Sequence, residues 1–311
     1  MAPTTRVISK TMSQDWTGGV LLVDKSGGPS SFDVIRKIRK NLRIKKVGHT
    51  GTLDPMATGL MVVCLGHATR VVPYLTAEDK VYTATIKLGV RSDTYDAEGT
   101  VERIATDAVV CALSDAQILK ALTQFDGWIE QVPPMFSAIK IDGERLYAKA
   151  RRGEHVDVPS RRVRIDQCRM LGRDGTEISL SIACSKGTYI RSIAHDLGKI
   201  LGTGGMLVGL RRQQVGNLSV NQAITYDQIE AVSQEVLRGH CLSIGDALPE
   251  WPRVTMNWEQ TKQLRFGQIL ISKGFPAEDF LAYDPDSKLL AMMQGRDESG
   301  QTKILRGFPS V

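Results

Sequence analysis

Two rhythms of apolar and polar positions run along the chain. Gly18 to Val23 reads as a short strand. The Gly- and Pro-rich stretch Asp24-Lys25-Ser26-Gly27-Gly28-Pro29 predicts a turn. Ser30 then stands as a helix N-cap, and Asp33 three residues on completes a capping-box-like pair. Phe32, Ile35, Ile38 and Leu42 are expected on the apolar face of the helix that follows. Period two takes over at Tyr82, Ala84, Ile86 and Leu88, which alternate with Thr83, Thr85 and Lys87 as in a half-buried strand. Glu177 to Cys184 alternates in the same way, and Ile190, Ile193, Ala194, Leu197 and Leu201 return to helical spacing. Strands and helices interleave without regular βαβ spacing. The expected class is therefore mixed α+β rather than a doubly wound sheet.

The character changes around Asp246-Ala247-Leu248-Pro249. Short Gly-punctuated runs such as Leu289-Leu290-Ala291-Met292-Met293 suggest a small β-barrel beyond that point. Residues 246–311 hold eight Lys/Arg against nine Asp/Glu and are close to neutral. The expected organisation is a flexible tail over 1–16, a large domain over 17–245 and a small one over 246–311, with no internal repeat.

Composition adds one thing to this picture. The 311 residues, 42% of them hydrophobic, supply an ordinary core, but the formal charge is +6. A basic balance favours a polyanion, because Lys and Arg release the counterions condensed on phosphates. The first helix sharpens the point. Arg36, Lys37, Arg39, Lys40, Arg43, Lys45 and Lys46 follow with no acidic residue among them, whereas solvated helix faces mix both signs. Phosphate contact and a solvated face are both compatible with this run. Arg151-Arg152 and Arg161-Arg162, with Arg164 nearby, form a second cluster, and Gly153 and Pro159 mark the stretch between the two pairs as a loop. Such a loop either clamps an RNA backbone or is plain charged surface.

Several classes are disfavoured. The five cysteines form no C-x-x-C pair and are odd in number, which points to reduced thiols rather than a zinc site or disulfide framework. The five histidines lie apart, with no H-x-x-x-H or H-E-x-x-H spacing, so no metal is expected. No apolar run approaches the roughly 20 residues that span a bilayer. Residues 1–16 lack the apolar core of a secretory signal, and their few basic and hydroxylated residues are too weakly periodic for a transit peptide. A cytoplasmic protein with no membrane association is expected.

The chemistry concentrates in residues 48–59, Gly-His-Thr-Gly-Thr-Leu-Asp-Pro-Met-Ala-Thr-Gly. Pro55 biases Asp54 away from helical geometry, and the glycines let backbone approach a ligand closely. A stiff loop holding one carboxylate beside hydroxyls suits catalysis. Taken alone it suits better an Asx-turn acid that bonds its own backbone.

Gly19-Val20-Leu21-Leu22-Val23-Asp24-Lys25, His49-Thr50-Gly51-Thr52-Leu53-Asp54-Pro55 and Gly66-His67-Ala68-Thr69-Arg70 together resemble the bacterial tRNA pseudouridine synthase B family. Lys80-Val81-Tyr82, Val132-Pro133-Pro134-Met135-Phe136-Ser137-Ala138-Ile139-Lys140 and Ser185-Lys186-Gly187-Thr188-Tyr189-Ile190-Arg191 look like three further blocks of that family, in family order. The likeness spans residues 18 to about 212. It departs from the family at Ser26, where Pro is usual, and at Phe136, where Tyr is common. The first change touches the stiffness of a turn and the second removes a hydroxyl.

The resemblance implies a pseudouridine synthase fold with a mixed, mainly antiparallel sheet and a PUA-like RNA-binding barrel at the C-terminus. It implies isomerisation of uridine-55 in the T-arm of tRNA by base flipping, without cofactor, metal or obligate protein partner. By the same likeness Asp54 is the essential carboxylate and Arg191 the cation that keeps it ionised. Tyr82 would stack on the flipped uracil and accept a proton. Tyr189 and Leu210 would line the base pocket, although a Leu there suits a core as well. His49 would help hold the tRNA loop open, and Lys25 would stand near the cleft or support the fold. Arg36, Lys37, Arg39, Lys40, Arg151 and Arg152 are the expected contacts to RNA backbone. Two other readings compete: an RNA-binding or tRNA-folding module without catalysis, and a guide-RNA-dependent relative. The presence of Asp54 argues against the first. The compact N-terminus and the bacterial-type blocks argue against the second.

Overall fold

The computed structural model describes residues 16–308 except Ala138, Asp142 and His155. Of the expected tail over 1–16, all but Trp16 lies outside the described residues.

Two early strands are apolar on both faces, and this sets the middle of the fold. In Gly18–Lys25, Val20 and Leu22 enter one core while Leu21 and Val23 enter another. Thr58–Gly66 repeats the pattern, with Leu60, Val62 and Cys64 on one side and Met61, Val63 and Leu65 on the other. Strands of this kind need cover on both faces. They pair antiparallel, from Gly18 opposite Gly66 to Lys25 opposite Gly59. Farther along the sheet one apolar face suffices. Ala84, Ile86 and Leu88 of Lys80–Leu88 and Ile178, Leu180 and Ile182 of Glu177–Cys184 share a core with the helices Asp115–Leu122 and Ile190–Ile200. The alternation read from sequence is that of a sheet covered by helices on one side.

The main sheet has ten strands, and its principal path runs Ile224–Thr225, Gly18–Lys25, Thr58–Gly66, Gly205–Val215, Lys80–Leu88, Glu177–Cys184, Arg161–Asp174, Gly127–Gln131. Along this path the pairing is antiparallel except between the first two strands and between Thr58–Gly66 and Gly205–Val215. This is the mixed, mainly antiparallel α+β arrangement expected.

The helix Ser31–Leu42 starts at the Ser30/Asp33 capping box. Its buried stripe is Ser31, Val34, Ile35, Ile38 and Leu42. Phe32, expected on that face, is instead 62% exposed. At 3.6 residues per turn it stands roughly a quarter-turn from the centre of the stripe.

The C-terminal strands Arg253–Thr255, Phe280–Tyr283, Leu289–Met293 and Ile304–Gly307 form a four-stranded sheet, and Leu270–Ile271 pairs separately with Gln301–Thr302. Among the described residues they do not close into the expected barrel. The helix Trp258–Arg265 sets Leu264 into the core of this unit beside Met256, Leu270, Phe275 and Phe280, so a helix provides cover that strand closure would otherwise give. Leu281 and Met292 turn the other way and pack with Val20, Leu22, Leu60 and Val62 of the main sheet. The small unit is thus joined to the large one through apolar contact. No helix among the described residues is long and apolar enough to cross a membrane.

Candidate active site

The segment carrying Asp54 connects Val47–His49 to Thr58–Gly66, which pair with one another. Much of its backbone is held by side chains rather than by a strand partner. Ser31 Oγ accepts from Leu53 N at 2.8 Å and donates to Leu53 O at 2.9 Å. Lys25, fully buried, donates to the carbonyls of Ala57 at 2.6 Å, Pro55 at 3.1 Å and Ser26 at 3.1 Å. Arg212, also buried, donates to Leu60 O at 2.6 Å and Gly51 O at 3.1 Å. Gly28 N donates to Pro55 O at 2.9 Å. Beneath the loop, Gly59 has φ +97°, and a Cβ there would lie 2.3 Å from Arg212 O, so this crossing of chains requires glycine.

Lys25 therefore does not stand free in the cleft. Its ammonium is engaged by the loop that carries Asp54, and burial brings its pKa down to about 8, with Asp54 opposing. Lys25→Met should take the ammonium from the carbonyls of Ala57 and Ser26, leave Pro55 O with the Gly28 amide alone, and lower unfolding stability by about 1–3 kcal/mol. Denaturant unfolding of the variant beside wild type checks this, and an unchanged midpoint would count against the anchoring role.

Ala57 N donates to Asp54 O at 3.0 Å and closes a turn around Pro55. The Asp54 carboxylate meets Arg191, with Nε 3.1 Å from Oδ2. Arg191 lies in the first turn of Ile190–Ile200 and is buried. Its Nη1 reaches Asp96 Oδ2 at 3.1 Å and Thr94 O at 3.2 Å, and Nη2 donates to Phe136 O at 2.9 Å. Asp96 is 2% exposed, and its Oδ1 accepts from Thr94 Oγ1 at 2.6 Å and Glu98 N at 3.0 Å. One buried guanidinium thus joins a sealed carboxylate to one that is 37% exposed. Burial raises the pKa of Asp54. Arg191 opposes this, Asp96 adds to it, and Lys25 opposes it more weakly. Burial and Asp96 thus favour the neutral carboxyl, and Arg191 favours the ionised one.

Tyr82 lies opposite Arg212 in the ladder between Lys80–Leu88 and Gly205–Val215. Burial raises the pKa of its phenol, Arg212 lowers it by charge and by a hydrogen bond, and Asp54 is close enough to raise it further. Met56, Tyr82 and Leu210 are half-buried at the margin of the helix-covered core. Leu210 O accepts from Thr58 Oγ1 at 3.4 Å, which places Leu210 beside the end of the Asp54 loop. Tyr189, two residues before Arg191, exchanges both backbone hydrogen bonds with the Gln131 side chain, at 2.7 and 3.0 Å. His49 Nδ1 accepts from Gly51 N at 3.3 Å. Burial and Arg212 lower the pKa of His49, which leaves the imidazole uncharged at neutral pH.

The structure brings Lys25, His49, Tyr82, Arg191 and Leu210 to the segment that carries Asp54, and adds two residues, Asp96 and Arg212, that sequence reasoning missed. The run Asp93-Thr94-Tyr95-Asp96-Ala97-Glu98-Gly99, acidic and turn-like, was the available signal for the first. An arginine inside a strand, as Arg212 is, gave none.

The expected phosphate contacts divide. Arg39 is exposed, as are Arg36, which pairs with Asp33, and Lys40, 3.9 Å from Glu230. Lys37 is not on this surface: its side chain is 12% exposed, sits 3.9 Å over the Tyr226 ring and lies 3.5 Å from Glu230. Arg152 is taken up by Glu144 and Glu154, and its hydrogen bonds to them raise its pKa. Arg151 ends the helix Leu146–Arg151, and its side chain lies outside the described residues. Arg161, Arg162 and Arg164 sit on the strand Arg161–Asp174, which begins where the intervening loop ends. Arg161 lies 5.2 Å from the Tyr189 ring centroid, and Arg162 lies 4.8 Å from that of Trp128.

Residues 39–190 match the TruB family pseudouridylate synthase (N terminal domain), and residues 191–248 match the tRNA pseudouridylate synthase B C-terminal domain. The chain is 36% identical to a tRNA pseudouridine synthase B of Clostridium kluyveri, over 93% of this chain and 99% of that one. It is 43% identical to the protein of that name from Aromatoleum aromaticum, over 81% of this chain and 80% of the other. Among solved structures, a chain of an H/ACA RNP bound to a substrate RNA containing 2′-deoxyuridine superposes with a TM-score of 0.68 at 21% identity, covering 94% of this chain and 85% of that chain. A chain of a Cbf5-Nop10-Gar1 complex gives 0.67 at 24%, covering 95% and 85%. These two likenesses show a shared pseudouridine synthase fold. With identity sustained across nearly the whole length of such relatives, the chain belongs to the tRNA pseudouridine synthase B family.

Proposed function

We propose that this protein converts uridine to pseudouridine in the T-arm of tRNA, at uridine-55, with Asp54 as its catalytic carboxylate. The observation that carries this reading is the half-exposed Asp54 held by Arg191, whose remaining bonds go to Asp96, Thr94 and Phe136. A surface evolved only to bind a polyanion turns its cations outward. Here the central cation is turned inward and a carboxylate is presented, which disfavours a binding module without chemistry.

The isomerisation breaks the N1–C1′ bond, turns the uracil over and joins C5 to C1′. The C5 hydrogen leaves as a proton and N1 gains one, so no redox partner is needed. Asp54 either bonds covalently to the substrate or stabilises positive charge at C1′; both need it ionised. Tyr82, Tyr189 and Leu210 form the wall against which the flipped base rests; Tyr82 takes up a proton only as a phenolate, a form that burial opposes and Arg212 favours. The neutral His49 fills the space the base leaves in the tRNA loop. The C-terminal sheet serves as a PUA-like RNA-binding unit along the same tRNA.

The guide-RNA-dependent reading draws on the fold neighbours alone. Sequence identity of 36–43% to proteins named tRNA pseudouridine synthase B favours a protein acting by itself. Release of label from the C5 position of uridine in a tRNA transcript, with no guide RNA added, tests the proposal. No release would reject it.

The exposed charges Arg36, Arg39 and Lys40 are assigned to phosphates of the same tRNA. Replacing all three by Gln should weaken binding and reduce the salt slope by roughly one unit for each phosphate no longer neutralised. Lys37→Gln should leave the slope unchanged, since that ammonium is held by Tyr226 and Glu230. Affinity titrations at several salt concentrations decide both points.

A further inference from the structure

We propose that the stacked pair Tyr95–His195 is a positioning device for catalysis, fastening the segment that carries Asp96 to the helix that carries Arg191. This rests on the reading of Asp54 as the catalytic carboxylate.

Tyr95 has φ +65°. A bulky L-residue holds that left-handed conformation only where its surroundings over-determine it, and such sites gather where geometry matters to function. Two constraints hold it here. The first is backbone pairing: Leu207 N donates to Tyr95 O at 3.0 Å, Tyr95 N donates to Ser92 O at 3.2 Å, and Asp96 bridges in parallel to Leu207. The second is the ring. Tyr95 and His195 stack with centroids 4.0 Å apart and planes 16° from parallel. His195 follows Arg191 by one helical turn, so both stand on the same face of Ile190–Ile200. That face therefore touches the 92–98 segment twice, by the stack and by the contacts of Arg191 with Thr94 O and Asp96.

The geometry has a direct consequence. The dihedral of residue 95 aims the next side chain, Asp96, at Arg191. If Tyr95 relaxed to an ordinary strand or helical conformation, Asp96 would swing away from the 3.1 Å contact with Nη1. The guanidinium would lose one of its two carboxylates and with it a fixed position beside Asp54. A misplacement of about 1 Å in such a group can cost on the order of 100-fold in rate. The stack itself is between uncharged rings at neutral pH. Burial lowers the pKa of His195, Lys199 and Arg91 lower it further, and Asp196 opposes them. A neutral aromatic should replace either partner.

The test compares Tyr95→Phe with Tyr95→Gly, and His195→Phe with His195→Ala. Glycine is at ease at φ +65°, so Tyr95→Gly removes the ring without adding backbone strain. The measurements are single-turnover rate against pH, and tRNA affinity. Both Phe variants should keep the wild-type rate. Tyr95→Gly and His195→Ala should lose roughly 10- to 100-fold in rate with affinity retained. The acidic limb of their pH–rate profiles should move up, because a loosened Arg191 no longer holds the pKa of Asp54 down as well. In an Asp96→Asn background, Tyr95→Gly should cost little more, since both changes act through one contact. Wild-type rate in both ring-less variants, a Phe variant as slow as its ring-less counterpart, or a full additional loss in the Asp96→Asn background would each overturn the proposal. Failure of the underlying catalytic reading would show elsewhere, as activity in Asp54→Asn.

Discussion

Asp54→Asn should lower pseudouridine formation by on the order of 10³-fold or more while tRNA affinity stays close to wild type. The substitution keeps the shape of the side chain and removes its charge. The loop does not depend on that charge for its position. Lys25, Arg212 and Ser31 hold it through the carbonyls of Pro55, Ala57, Gly51 and Leu53 and the amide of Leu53. Arg191 would keep Asp96, Thr94 O and Phe136 O. A folded, tRNA-binding and inactive protein is therefore the expected product. Turnover within tenfold of wild type would remove Asp54 from the catalytic role.

Arg191→Met should be nearly as damaging, and its signature is a shift in pH dependence. Burial and Asp96 push the pKa of Asp54 up, and Arg191 is the larger of the two cations that oppose them. Without the guanidinium the carboxyl protonates at higher pH. The acidic limb of the single-turnover profile should move up, and the rate at neutral pH should fall. Removing Arg191 also strands Asp96, 2% exposed, without its cation. Breaking a buried pair in this way costs about 3–5 kcal/mol, so the variant should melt lower as well. Arg191→Lys restores charge but cannot span both carboxylates, and it should fall between the two. An unshifted acidic limb in Arg191→Met at wild-type rate would sever the link between Arg191 and Asp54.

What sequence conveyed and what it withheld follow from the range of the interactions. Strand alternation at Tyr82 to Leu88 and at Glu177 to Cys184 is local, because each residue's face is set by its immediate neighbours. The Ser30/Asp33 capping box is local for the same reason. Phe32 misled because apolar spacing alone does not fix where a stripe is centred; the buried stripe runs through Ser31 and Val34 instead. Lys37 and Arg152 looked free because their partners are brought in by the fold: Tyr226 and Glu230 come from far along the chain, and Glu144 reaches Arg152 across a helix. The Asp54 loop was recognisable from its motif, but the reason it is stiff was not. Lys25 and Arg212 read as ordinary charges until burial sets them against backbone carbonyls. The missing barrel closure has the same origin, since Leu264 is one residue of a polar-looking helix and only packing shows it entering the core.

The central claim is that this chain alone, through Asp54, isomerises uridine in the T-arm of tRNA. The most direct test is site-resolved mapping of pseudouridine in an unmodified tRNA transcript after incubation with the purified protein as the only macromolecule added. The account predicts pseudouridine at uridine-55 with wild-type protein and none with Asp54→Asn. Absence of pseudouridine with wild type, or equal formation with both proteins, would contradict it.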